Sequence, residues 1–199
     1  MSGTQALAAG LPDGVHDAQQ AFRAVLDALA RPGQSRVMGP ALPGVALGGA
    51  MARLLLSLCD DDTPVWWQRE DAGLPHWLRF HVGAPVADVP AAASFAVFTE
   101  IDRGVTLADF AAGTAAAPEF STTLLIELPS LTDGPVLAWH GPGIQTVQHV
   151  GLQGLPADFW TRWQANHAAF PQGVDIIFTC GDRALGLPRT TRVRRLEGV

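Results

Sequence analysis

The chain contains no lysine, because all 13 of its basic residues are arginine. A Schiff base to pyridoxal phosphate, the lysine of a P-loop and a lysine general base each require a primary amine on a side chain. All three mechanisms are therefore excluded for this chain acting alone, and we expect no covalently anchored cofactor.

Charge is scarce as well. Charged residues make up 16% of the chain and the net charge is -6. A protein that coats a polyanion needs positive surface to offset repulsion from the phosphates. We therefore expect no nucleic acid polymer among the partners.

Long apolar runs and a basic leader are also missing. A signal peptide has basic residues ahead of its apolar stretch, whereas residues 1–12 have none ahead of their short Ala/Leu stretch. The longest apolar run, Val45 to Leu58, is interrupted by Arg53 and is shorter than the ~20 residues that span a bilayer. These features predict a cytoplasmic protein without a membrane contact, in which Cys59 and Cys180 stay free thiols.

What is present is enough apolar material for one core. The 199 residues are 48% hydrophobic, which predicts a single domain over 1–199 with its core at about 15–193. Three segments have helical spacing of apolar residues. The first starts at a capping box of Asp17 and Gln20 and places Phe22, Val25, Leu26 and Leu29 on one face. The others are Gly48 to Leu58 and Pro156 to Ala169.

Strands are predicted where short segments are rich in aromatic or β-branched residues. These segments are Pro64–Trp67, Trp77–His81, Ser94–Phe98, Ser121–Leu128, Val136–His140 and Val174–Cys180. A turn at Asp133-Gly134 predicts that the fourth and fifth of them pair, and Gly181-Asp182 predicts a hairpin after the sixth. Strands interleaved with helices predict an α/β fold with a mixed sheet.

Two motifs suggest ligand sites but fail in their context. Gly141-Pro142-Gly143 follows a strand, as a phosphate-binding loop does, yet no helix follows it, so we interpret it as a structural turn. Asp60-Asp61-Asp62 offers oxygen ligands for Mg²⁺, but no second carboxylate cluster accompanies it. We predict no metal site.

Asp175 lies inside the apolar segment Val174–Phe178, where an ionised carboxylate is costly unless it is paired. Arg79, Arg183 and Arg189 are candidate partners. The alternative is that strand alternation turns Asp175 to solvent.

The last 17 residues hold five arginines: Arg183, Arg189, Arg192, Arg194 and Arg195. Such a cluster either grips a phosphate or an acidic partner, or is a solvated tail. On the first alternative Arg189→Ala weakens binding by about 1 to 3 kcal/mol with little loss of stability, whereas Arg194 and Arg195 fray.

Acid–base chemistry has few candidates. His81 and His140 lie at the ends of predicted strands, where active sites of α/β sheets lie, although a hydrogen-bonded structural histidine is the favoured interpretation of each. No nucleophile elbow occurs, and no catalytic residue can be assigned.

Several strings in fixed order resemble one family over about Val15 to Val193. They are Asp17–Arg23 with Arg31–Gly33, Asp62–Trp66, Leu78–His81, Gly113–Glu119, Gly141–Ile144, Phe170–Asp175 with Thr179–Gly181, and Pro188–Thr191. The family is PhnH, a subunit of the bacterial carbon-phosphorus lyase core complex.

The resemblance implies a subunit of the assembly that makes α-D-ribose 1-methylphosphonate 5-triphosphate from ATP and methylphosphonate with release of adenine. It implies PhnG, PhnI and PhnJ as partners, and a homodimer when the subunit is isolated. It also implies a three-layer α/β/α sandwich similar to the large domain of pyridoxal-phosphate transferases, without that cofactor. The rival hypotheses are a stand-alone enzyme and a regulatory module that binds ATP or a phosphonate.

The family offers no accepted catalytic residues to transfer. Candidate contacts to a ligand or partner are therefore chosen for their chemistry within the matching strings: Arg79, His81, Thr114, Glu119, Gly141, Gly143, Asp175 and Arg189.

Overall fold

The computed structural model describes residues 8–69, 73–101 and 106–196. Its helices are α1 His16–Ala30, α2 Gly49–Leu58, α3 Gly73–Val82 and α4 Phe159–Ala168. Its strands are β1 Arg36–Val37, β2 Val65–Trp67, β3 Phe95–Phe98, β4 Thr123–Glu127, β5 Leu137–His140, β6 Gln148–Val150, β7 Asp175–Cys180, β8 Arg183–Leu187 and β9 Arg192–Arg195.

Six strands form the central sheet in the order β1-β8-β7-β4-β3-β2. Strands β2, β3, β4 and β7 run parallel to one another. Strand β8 pairs antiparallel with β7, and β1 pairs antiparallel with β8. The inner strands β4 and β7 are almost continuously apolar because both of their faces are covered. The predicted α/β fold with a mixed sheet is therefore confirmed.

Helices α1, α2 and α3 cover one face of this sheet. Helix α2 is buried on nearly all sides. Its residues are therefore apolar around the whole helix, unlike those of an amphipathic surface helix. Its one charged residue, Arg53, donates from Nε to Pro40 O at 3.1 Å and lies 3.6 Å from the Asp17 carboxylate, which compensates the burial of its charge.

The opposite face is covered by α4 and by a second sheet of three antiparallel strands in the order β6-β5-β9. Large side chains fill the space between them, among them the fully buried Trp139, Trp163 and Phe178. This layer thus contains strands as well as a helix.

Two strand predictions are wrong. Residues 77–81 belong to helix α3, where Leu74, Trp77 and Leu78 recur at helical spacing and pack inward, so periodicity outweighed the aromatic content. Strands β4 and β5 do not pair with each other but belong to different sheets, since β4 lies between two parallel neighbours.

The start of α1 also differs from the prediction. Asp13, not Asp17, caps the helix, because its Oδ1 accepts the backbone N–H groups of Val15 and His16. Of the predicted apolar face, Val25 is buried, whereas Phe22 and Leu26 remain about half exposed.

The predicted hairpin is confirmed. Strands β7 and β8 form the expected hairpin, with Gly181 at a φ of +57° in its turn. Cys59 and Cys180 are free thiols. Within residues 8–69, 73–101 and 106–196, no helix combines the length and apolarity needed to cross a bilayer.

Candidate functional site

An ion pair between Asp175 and Arg189 lies at the amino end of β7. Oδ1 of Asp175 accepts the backbone N–H of Arg189 at 2.7 Å and its Nε at 3.1 Å, while Oδ2 accepts from Nε at 3.2 Å and also from Nη2. The side chain of Arg189 is 11% exposed and that of Asp175 is 26% exposed. Of the partners considered for Asp175, the structure therefore selects Arg189, in a bidentate geometry.

The same guanidinium holds the segment that precedes β4. Arg189 donates from Nη1 to Pro118 O at 3.0 Å and from Nη2 to the Ser121 hydroxyl. Thr114 and Glu119 are exposed on this segment, and the Thr114 hydroxyl accepts the N–H of Ala117. The structure thus brings four predicted site residues, Thr114, Glu119, Asp175 and Arg189, to one edge of the sheet.

A shallow cavity of about 380 Å³ borders this edge. Its lining includes Glu119, Phe120, Ser121, Thr123 and Thr63. Arg189 and Asp175 are not among its lining residues, since their polar atoms are engaged with each other and with the backbone.

The arginines near the C-terminus divide into two kinds. Arg189 is buried, whereas Arg192, Arg194 and Arg195 are exposed on β9. The expectation that Arg194 and Arg195 fray is wrong, because they pair in register with Ala138 and Leu137 of β5.

The loop with Gly141 and Gly143 joins β5 to β6 and no helix follows it, as expected. Gly143 has a φ of +81°, and a Cβ there would lie 2.0 Å from the carbonyl oxygen of Ala30 at the end of α1. Gly141 lies against Thr190 and Thr191. Glycine is required at 143 by packing, which supports the structural turn over a phosphate loop.

Arg79 and His81 lie apart from this group, on α3. The prediction that His81 ends a strand is wrong, because it lies in a helix; its Nε2 donates to Ala8 O at 3.1 Å. His140 does end a strand, β5, and its Nδ1 donates to Thr146 O at 3.2 Å.

A second concave region lies beyond the carboxyl ends of the parallel strands, where open α/β sheets bind ligands. We call it the carboxyl-end crevice. It encloses about 430 Å³ and is lined by Thr99, Glu100, Ile101, Glu127, Leu128, Pro129 and Gly154. None of these residues was a candidate from the sequence.

Glu127 is the central polar group of the carboxyl-end crevice. It ends β4, and its Oε1 accepts the N–H of Gly48, the residue that precedes α2, at 3.0 Å. Burial raises the pKa of the Glu127 carboxyl, and the hydrogen bond from Gly48 opposes this only in part.

Metal ligation finds no support in the described portion of the chain, where no group of three or more His, Cys, Asp or Glu side chains converges. The acidic run 60–62 is organised by local turns instead. Oδ1 of Asp60 accepts the N–H of Asp62, and the Thr63 hydroxyl donates to Asp60 O.

Comparison with known proteins identifies the family. The family model of the bacterial phosphonate metabolism protein (PhnH) matches residues 9–194. This chain belongs to the PhnH family. A Rhizobium meliloti (strain 1021) relative, "Alpha-D-ribose 1-methylphosphonate 5-triphosphate synthase subunit PhnH", is 38% identical over 96% of this chain and 98% of its own.

A second relative of this PhnH-family chain covers less of it. The "Putative C-P lyase subunit protein HtxG" of Stutzerimonas stutzeri is 35% identical over 81 residues, which are 41% of this chain and 42% of the relative. Both relatives are named as subunits of larger assemblies.

The burial of Arg189 changes what its replacement is expected to do. Arg189→Ala leaves Asp175 partly buried and uncompensated, so we expect a loss of about 3 kcal/mol in the free energy of unfolding. For a protein of this size that lowers the melting temperature by about 6 to 12 °C. Arg194→Ala is the matched control, since Arg194 is exposed on β9, and should change stability by less than about 0.5 kcal/mol. Equal melting temperatures for the two variants would contradict the structural role of Arg189.

The raised pKa of Glu127 predicts a pH-dependent stability difference. The folded state holds the Glu127 proton more tightly than the unfolded state, so this residue costs stability as the pH rises through its folded-state pKa. Glu127→Gln keeps an amide oxygen for Gly48 and cannot ionise. Its melting temperature relative to wild type should therefore rise between pH 4 and pH 8. Glu119→Gln, on the opposite edge, controls for the lost charge. A Glu127→Gln difference that is flat or falls with pH would refute the assignment.

Proposed function

We propose that this chain acts as a subunit of an α-D-ribose 1-methylphosphonate 5-triphosphate synthase in the carbon-phosphorus lyase pathway. The observation that carries the proposal is the near full-length similarity, 38% identity over 96% of the chain, to a relative named as that subunit. The assembly would join methylphosphonate to the ribose of ATP and release adenine. The comparisons do not favour the rival functions of a stand-alone enzyme or a regulatory nucleotide-binding module.

The side chains support a role that other subunits complete. A self-sufficient acyl- or group-transfer site needs a nucleophile, a base in hydrogen-bond reach and a group that orients the base. The three acid–base candidates do not form such a set: Asp175 is engaged by Arg189, and His81 and His140 donate to backbone carbonyls. We infer that the chain contributes to the reaction through the assembly.

The finer features follow from the same proposal. We infer that PhnG, PhnI and PhnJ are the partners, that the isolated chain forms a homodimer, and that the assembly is cytoplasmic and serves phosphorus assimilation. We also keep the hypothesis of one domain over 1–199 whose layers are similar to those of the large domain of pyridoxal-phosphate transferases. Residues 1–7, 70–72, 102–105 and 197–199 of that span lie outside the described residues.

The outer side of α1 is the surface we infer to meet a partner. Phe22 and Leu26 are 46% and 50% exposed, and Val15, just before the helix, is 70% exposed. Positions 15, 22 and 26 lie on one side of the helix, since the spacings of seven and four residues each complete whole turns. Aromatic and aliphatic side chains grouped in this way are typical of protein interfaces.

Co-purification and turnover test the proposal together. The chain, expressed with PhnG, PhnI and PhnJ, should co-purify with them, and the assembly should release adenine from ATP plus methylphosphonate. The chain alone should release none. Replacing both Phe22 and Leu26 by serine should weaken assembly at least tenfold, because the apolar contact is lost without a change in the core.

Phe120→Ser is the matched control for the α1 surface, since Phe120 is 76% exposed at another edge. Adenine release by the chain alone, or failure to co-purify with any of the three partners, would contradict the subunit role. Retention of wild-type affinity by the Phe22/Leu26 variant would contradict only the α1 surface.

A further inference from the structure

The charged groups that line the carboxyl-end crevice are all hydrogen-bond acceptors. Glu100 and Glu127 contribute carboxylates, and no arginine, lysine or histidine is among its lining residues. Thr99 adds a hydroxyl. Such a lining repels phosphate and phosphonate groups and attracts a cation.

Unpartnered polar atoms lie at the same ends of the strands. Thr179, at 0% exposure, has a hydroxyl without a hydrogen-bond partner in the described part of the chain. It pairs in register with Glu127 on the neighbouring strand, so the two side chains project side by side from one face of the sheet. Buried hydroxyls are normally satisfied, so Thr179 leaves an unmatched polar group beside the Glu127 carboxylate, directly behind the residues that line the crevice.

The Glu127 carboxylate is itself only partly satisfied. Oε1 accepts the Gly48 N–H, whereas no hydrogen bond to Oε2 is formed within the described residues. One more acceptor is close to the carboxyl end of β2, where Oε1 of Gln68 is buried without a partner. The neighbouring Glu100 is paired with Arg69, an exposed contact that solvent screens and that a ligand can displace at small cost.

The apolar part of the lining limits the shape of the occupant. Ile101, Leu128 and Pro129 provide walls for a short hydrocarbon stem, and the volume of about 430 Å³ has room for such a stem together with its polar head group. A guanidinium carries five N–H donors and no acceptor, so surrounding acceptors can match all of its polar atoms.

We propose that the carboxyl-end crevice binds a guanidinium group on a short apolar stem, held by the carboxylate of Glu127 and by Glu100 at the mouth. The group can come from a free small molecule or from an arginine side chain of a partner subunit. The proposal concerns the isolated chain and holds whether or not the subunit role proposed above is correct. The proposal implies that an anion such as methylphosphonate binds outside this crevice.

Agmatine, which carries a guanidinium on a four-carbon stem, is the probe. Titration of the ¹⁵N-labelled chain with agmatine should shift the backbone amides of Gly48, Leu128 and Gly154 in a saturable way with 1:1 stoichiometry. Glu127→Gln should weaken this binding at least tenfold, because it removes the charge and keeps the shape. Asp88→Asn, which removes an exposed carboxylate outside the crevice lining, should bind as wild type does. Methylphosphonate at the same concentrations should leave the three amides unshifted.

A second experiment distinguishes the two possible sources of the guanidinium. If Glu127→Gln also reduces co-purification with PhnG, PhnI and PhnJ, the guanidinium belongs to a partner subunit; unchanged co-purification with weakened agmatine binding assigns the crevice to a free compound. Agmatine binding that is absent, or equal in wild type and Glu127→Gln, would overturn the site. Shifts of the crevice amides by methylphosphonate would overturn the ligand class.

Discussion

The buried ion pair of Asp175 and Arg189 is the constraint on which the arrangement of the two sheets depends. Asp175 begins β7 of the central sheet, and Arg189 lies on the connection from β8 to β9, the strand that enters the second sheet. The Arg189 carbonyl accepts Nδ1–H of His167, which ties α4 to the same point. Because removing either charge leaves the other partly buried without compensation, the connected segments are stable only together.

Local sequence predicted those elements that local interactions determine. The β7–β8 hairpin follows from an apolar run and the Gly181 turn, and α2 follows from its helical spacing. The pairing of β4 with β3 and β7 could not be predicted, because parallel neighbours are joined by long crossovers and no turn marks them. The strand wrongly expected at 77–81 shows that a 3.6-residue period outweighs aromatic content when both occur in one segment.

Charge alone could not separate the roles of the polar residues. Arg189 and Arg194 belong to the same sequence cluster, yet one is inside the fold and the other on its surface. The difference arises from the contact of Arg189 with Asp175, 14 residues earlier in sequence, and with Ser121, 68 residues earlier. Glu127 escaped prediction because a single glutamate after an apolar run is typical of a solvated strand end. The available signal was the continuous apolar run before it, which is typical of a parallel strand buried on both faces.

The central claim is that Asp175 and Arg189 stabilise the fold through each other, and a double-mutant cycle tests it most directly. The free energy of unfolding would be measured by denaturant titration for wild type, Asp175→Ala, Arg189→Ala and the double variant. Since the two groups share hydrogen bonds, we expect a coupling energy above about 1 kcal/mol, with the double variant less destabilised than the sum of the single ones. Additive losses within about 0.5 kcal/mol would contradict the account.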